Sequence, residues 1–281
     1  MAIQIIEQFT RSKYPEQQMC EDGLFISDDF IAVIDGVTGK GDLKWPCPET
    51  GASPSMTSGR YAREILLAAL KTLPADMDAA RAISRLNQAL AQAGRSRSQI
   101  LQEHRDERLQ AVIIIYSCLR KEVWAFGDCQ CMIGPRLYTH SKKIDSLTAQ
   151  VRSVYNRAEL MSGRTVEELS AHDPGRDYIL PLLRRQLLFA NDESPWGYDV
   201  LDGFPIHADR VLIHPVQPGT QVVLASDGYP LLKESLRESE DALNELLEKD
   251  PLCIGENMGS KGLVKGNVSF DDRTYIRFKV V

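Results

Sequence analysis

The order of patterns along the chain predicts an α+β fold in which mainly antiparallel sheets are covered by helices. Three observations carry this expectation. β-like runs and helical periodicities come in blocks (strands, helices, strands, helices, strands) rather than in strict strand–helix alternation. Neighbouring β-like runs are joined by short hairpin-like turns. No break in composition divides the 281 residues, so a single domain over 1–281 with a helical insertion around 141–200 is the simplest organisation.

The elements follow in order. Gly23 to Ile26 and Phe30 to Ile34 are β-like, with Ser27-Asp28-Asp29 between them. Residues 41–57, rich in Pro, Gly and Ser, form an exposed loop. From Ser58 onward Tyr61, Ile65, Ala69 and Leu73 recur on one helical face, and after Pro74 so do Ala79, Ile83, Leu86 and Leu90. Ala111 to Tyr116 is a continuous apolar run, as expected of a buried strand. Glu122 to Phe126 alternates, and Cys131-Met132-Ile133 continues it after the turn Gly127-Asp128. Residues 142–190 are helical; Thr165 and Glu168 form a capping box, and Pro174-Gly175 precedes a helix near Tyr178 to Leu188. The closing third has a strand at Gln221 to Ala225, helices near Leu231 to Arg237 and Glu240 to Lys249, and a last strand at Arg273 to Val280.

Composition excludes several classes. At 43% hydrophobic the chain can bury a sizeable core, and its net charge of −6 offers no basic stripe for nucleic acid or an anionic membrane surface. Arg95-Ser96-Arg97 is followed by Glu103, Asp106 and Glu107 and reads as a solvated helix face. No apolar run approaches the roughly 18 residues of a membrane span. The N-terminus lacks the pattern of a signal peptide. Six cysteines are scattered without a Cys-x-x-Cys pair, which argues against zinc and a disulfide framework and for a reducing cytoplasm.

The chemistry-bearing signal is a set of acidic segments beside β-like runs: Glu21-Asp22, Ile34-Asp35-Gly36, Ser226-Asp227-Gly228 and Asp271-Asp272. Carboxylates gathered at strand ends repel one another unless a cation compensates. Oxygen ligands without His or Cys suit magnesium or manganese rather than zinc. The expectation is a divalent-metal site at the ends of several strands. Ordinary capped or solvated turns are the competing reading, most directly for Glu21, Asp22 and Asp128, and Asp272 is the alternative to Asp271. Gly36-Val37-Thr38-Gly39-Lys40 has the wrong spacing for a nucleotide phosphate loop, with Gly41 where Ser or Thr would be needed.

These segments, in order, resemble the metal-dependent Ser/Thr protein phosphatases of type 2C. Glu21-Asp22 is similar to that family's early acidic pair, and Phe30 to Gly36 to its apolar strand ending in Asp-Gly. Val123 to Asp128 is similar to its Val-Ala-Asn-Val-Gly-Asp segment, Ala225-Ser226-Asp227-Gly228 to its late Ala-Ser-Asp-Gly strand, and Asp271-Asp272-Arg273-Thr274 to the opening of its last strand. The resemblance spans nearly the whole chain. It implies an α-β-β-α sandwich of two mainly antiparallel sheets flanked by helices, with two Mn2+ or Mg2+ ions in a cleft at one end and room for a third. By the same resemblance Asp35 would bridge the ions, the Gly36 carbonyl would bind one, and Asp227 and Asp271 would complete the second site. Glu21 or Asp22 would hold bound water, and Asp128 would serve the third ion. The implied activity is removal of phosphate from Ser or Thr of a phosphorylated protein by an activated water.

Three departures mark a divergent member of bacterial type. Val37 replaces the family's His after Asp-Gly, Gln17 replaces its phosphate-binding Arg, and Cys129-Gln130 replaces Ser-Arg after Gly127-Asp128. Lys40, Arg11 and Lys13 are the candidate substitutes for the phosphate-binding cation. The departures keep two alternatives open: a non-catalytic phosphatase-like binding protein, and a phosphatase of small phosphoesters.

Overall fold

The computed structural model describes residues 3–47 and 55–281. Part of the Pro- and Gly-rich loop expected over 41–57 therefore lies outside the described residues. Two five-stranded sheets, antiparallel throughout, stack face to face. One has β2 (Asp22–Ile26), β3 (Phe30–Gly36), β4 (Ala111–Ser117), β5 (Glu122–Phe126) and β8 (Leu212–Pro215), in that spatial order. In the other, β1 (Ile3–Arg11) pairs with β10 (Arg273–Val280), followed by β9 (Gln221–Ala225), β6 (Gln130–Ile133) and β7 (Arg136–Tyr138).

Strand alternation builds the layers. Ile31, Val33, Val112, Ile114, Val123 and Ala125 meet Val222, Leu224, Ile276 and Phe278 between the sheets. The opposite face of the β2–β8 sheet, with Phe30, Ile34, Ile113, Ile115 and Trp124, packs on helices α1 (Ser58–Leu70) and α2 (Ala79–Ala93). Among the later helices, α3 (Ser98–Glu103), α4 (Lys143–Met161), α5 (Val166–Ala171), α6 (Pro174–Arg185) and α7 (Leu236–Lys249), the last lies against β1 and β10 on the outer face of the other sheet. The result is the expected α-β-β-α sandwich. No helix among the described residues is long and apolar enough to cross a membrane.

Several local expectations shift. The buried face of α1 is Ala62, Leu66 and Leu70, one residue on from the stripe read in sequence. Tyr61 and Ile65 sit at the rim, because a stripe with apolar residues on both flanks leaves the rotation of the helix to its packing partner. The α2 face is buried as expected. One helix, α7, replaces the two expected between Leu231 and Lys249. Ser235 caps its start by accepting from the Glu238 amide, and residues before it form turns. The Thr165–Glu168 capping box is present. Strands β1, β7 and β8 were not legible: all three lie at sheet edges or carry half-exposed side chains without clean alternation.

Candidate metal centre

Both sheets end together where β2, β4, β6 and β10 begin and β1, β3, β5 and β9 finish. Asp35 continues the inward-facing series Ile31, Val33, so its carboxylate points between the sheets, and Asp22 lies directly opposite it in the β2–β3 register. Two carboxylates facing each other across a strand pair destabilise it unless something compensates. Ser226 and Asp227 follow β9, Asp128 follows β5, and Asp271 precedes β10. Sequence-distant acids thus share one end of the sandwich.

Close backbone approach holds this end together. A Cβ on Gly36 would lie 2.4 Å from the Gly59 carbonyl, so the strand end and the first turn of α1 touch only because both residues are glycine. The Gly36 carbonyl is turned towards Gly59. Likewise a Cβ on Gly228 would lie 2.0 Å from the Asp272 carbonyl, which is why Gly must follow Ser226-Asp227.

The acids then separate into two groups. In the first, every carboxylate is partnered. Asp272 accepts from the amides of Lys13 (2.7 Å) and Glu21 (3.0 Å), tying the ends of β1, β2 and β10 together. That makes it a structural residue and leaves Asp271 as the acid of this pair that faces the centre. Glu21 accepts from the hydroxyls of Thr57 (2.5 Å) and Thr38 (2.6 Å), and Asp22 from Ser226 Oγ (2.6 Å). Lys13 Nζ lies 3.4 Å from Glu21, Asp271 and Asp272 alike. Lys261 pairs with Asp271 at 2.5 Å and Lys142 with Asp128 at 2.6 Å. Asp35 and Asp227 form the second group. Among the described residues neither carboxylate has a hydrogen-bond or ion-pair partner.

Electrostatics follow this division. Burial raises Asp35 well above the usual carboxylate range, and Asp227, Asp22, Asp271 and Asp128 add repulsion. The Asp227 side chain reaches solvent, yet the surrounding protein displaces water, and with Asp128 and Asp271 it lifts the group to about 7. Asp271 goes the other way. Burial pushes it up, but Lys261 and Lys13 outweigh burial and hold it at about 2. Burial draws Lys13 down, and Asp271, Glu21 and Asp272 more than reverse that.

The candidate phosphate-binding cations are also resolved. Arg11 is exposed and faces Glu240 on the α7 side, outside the centre, because it shares a strand face with its register partner Arg273. Lys13 is inside the centre but fully engaged. Lys40 is half-buried, donates to the Thr38 carbonyl (2.6 Å), and is lowered to about 7 by burial and by the neighbouring Arg176 and Lys261. Arg176 and Lys261 gave no sequence signal. They are set by the fully buried Arg152, which binds Asp173, the cap of α6, and the carbonyls of Leu252, Cys253 and Gly259. Arg176 in turn donates to the Ser260 carbonyl at 2.5 Å.

Among the described residues no three acidic, His or Cys side chains converge into a ready-made ion cage. The donor chemistry nevertheless fits a hard divalent cation: the ligands are oxygens, and Asp35 and Asp227 are repelling carboxylates with no partner. The thiol of Cys129 beside them is buried in the core and raised well above its ordinary value by burial, then by Asp35 and Asp128, so it is no nucleophile.

The layer order and sheet topology define a class: this chain has the fold of the metal-dependent, type 2C-like Ser/Thr phosphatases. The X-ray structure of the photosystem II phosphatase PBCP matches it with a TM-score of 0.51 at 14% identity, over 100% of this chain and 99% of that one. The catalytic domain of the serine/threonine protein phosphatase PstP in complex with two manganese ions also matches, with a TM-score of 0.49 at 14% identity over 100% of both chains. PppA, a regulatory component of the T6SS in Pseudomonas aeruginosa, matches with a TM-score of 0.48 at 12% identity, over 100% of this chain and 99% of that one. No family model matches the sequence, and no curated protein is similar to it in sequence.

Proposed function

We propose that the chain is a divalent-metal-dependent phosphoester hydrolase that removes phosphate from Ser or Thr of a phosphorylated protein in the cytoplasm, using Mn2+ or Mg2+. One observation carries the reading. Asp35 and Asp227, one from each sheet, meet at the open end of a type 2C-like fold with no hydrogen-bond or ion-pair partner among the described residues. They would hold the ion, with Asp128 beside them. When bound, the ion would lower the pKa of water and offset charge on the phosphoryl oxygens.

The chain's own residues supply the rest. Lys40, Arg176 and Lys261 form a cationic wall beside Asp271 that would receive the phosphate dianion, replacing the arginine missing at Gln17. Arg152 keeps that wall rigid, so little ordering is left for the moment of binding. Val37 offers no proton, so the leaving alkoxide must be protonated by water or by Lys40, whose lowered pKa suits an acid near neutral pH.

Hydrolysis of p-nitrophenyl phosphate and of a phosphothreonine peptide, with and without Mn2+, tests the proposal. Activity should require the ion and vanish with chelator; turnover that survives exhaustive chelation would overturn it. The lysines paired with Asp271 favour a second reading, a phosphoprotein-binding relative without turnover. Tight phosphopeptide binding with no hydrolysis at any metal concentration would select it.

A further inference from the structure

We infer that Lys13 acts as a built-in cation in the acidic centre, so that the chain takes one divalent ion, at Asp35 and Asp227, and not two. The inference rests on the metal-dependent reading above.

Lys13 is not a surface lysine folded back onto a convenient acid. Its side chain is 6% exposed, and its ammonium is surrounded at 3.4 Å by one oxygen each from Glu21, Asp271 and Asp272. It also donates to Thr38 Oγ1 at 3.0 Å. Three carboxylates and a hydroxyl around one cation are the kind of oxygen shell a metal would require. The backbone is held as well: the Lys13 amide donates to Asp272 (2.7 Å), and its carbonyl accepts from the Val268 amide (2.9 Å).

The surrounding oxygens are otherwise occupied. Glu21 accepts two threonine hydroxyls, Asp272 two backbone amides, and Asp271 the ammonium of Lys261 and the Asp272 amide. A divalent ion entering this half would have to strip those partners while facing a fixed positive charge. In the other half, among the described residues, Asp35 and Asp227 have no hydrogen-bond or ion-pair partner, and Lys261 and Lys142 offset the burial and repulsion at Asp227 only in part. The two halves therefore differ in kind. One is neutralised by the chain, with Asp271 as a positioning residue for Lys13 and Lys261; the other is left for an ion from solution.

Titration of metal-stripped protein with Mn2+, followed by calorimetry and native mass spectrometry, decides this without reference to activity. The wild type should bind one ion. Asp227→Asn should abolish binding, whereas Asp271→Asn should still bind one ion. Lys13→Met, which keeps most of the unbranched length but not the charge, should bind a second ion. Two ions in the wild type, falling to one in Asp271→Asn, would overturn the inference, as would a single ion in Lys13→Met. If Lys13→Met does not fold, the wild type and Asp271→Asn still decide. No bound ion in the wild type would overturn the metal-dependent reading and this inference with it, so the two failures are distinguishable.

Discussion

Asp227→Asn in the ion-free protein isolates the cost of the unpartnered carboxylates. The rise of Asp227 from 3.8 to about 7 corresponds to about 4 kcal/mol of lost hydration and repulsion. The side chain is exposed, so screening leaves about 1–2 kcal/mol of this. A carboxyl whose folded-state pKa is raised binds more protons folded than unfolded, so wild-type stability falls as pH rises from about 4 to about 7. Asparagine lacks that titration. Urea unfolding with chelator should therefore find Asp227→Asn about 1–2 kcal/mol more stable than wild type at pH 8 and nearly equal to it at pH 4. Added Mn2+ should reverse the order, because the wild type alone gains binding energy. A variant less stable than wild type in chelator at pH 8, or a gain independent of pH, would refute the argument that Asp227 carries uncompensated charge.

Asp35→Asn should cut Mn2+-dependent turnover by orders of magnitude, measured with p-nitrophenyl phosphate, while leaving ion-free stability undiminished. Lys40→Ala should raise KM more than it lowers kcat; loss of a charge-assisted contact of about 1.5–3 kcal/mol means about 10- to 150-fold in kcat/KM. Since Lys40 loses its proton near 7, wild-type KM for a phosphopeptide should climb above neutral pH, and Lys40→Arg should flatten that climb. Arg152→Met should destabilise by about 3–5 kcal/mol in chemical denaturation, since it removes the buried ion pair to Asp173 and the donors to the Leu252 and Gly259 carbonyls. Cys129→Ser should retain Mn2+-dependent activity but lose about 1–3 kcal/mol, since it places a hydroxyl between the sheets; a thiol-alkylating reagent should leave the native wild type active.

The acids themselves were legible because strand periodicity is local. An Asp that continues Ile31-x-Val33 must face as those residues face, and apolar runs ending in Asp-Gly mark the strand end without knowledge of the partner strand. The antiparallel class was legible from block order for the same reason, and the inward faces of β3, β4 and β9 needed only alternation. Edge strands β1, β7 and β8 were not, since half-exposed side chains carry little pattern.

What the chain alone determined is therefore which residues bear charge and roughly which elements carry them to an end of a sheet. Tertiary structure decided which charges meet. Lys13 and Asp271 are separated by 258 residues, and no spacing in the sequence ties them. Nothing in Asp271-Asp272 itself says which acid accepts two amides and which faces the centre. Arg176, in the first turn of α6, and Lys261 come together beside Lys40 only because buried Arg152 ties the α6 cap to the 252–259 loop. Local propensity acts over a few residues, whereas neutralisation of charge is a property of three-dimensional proximity, so the difference between an acid left without a direct partner and one already paired with lysine exists only in the folded chain.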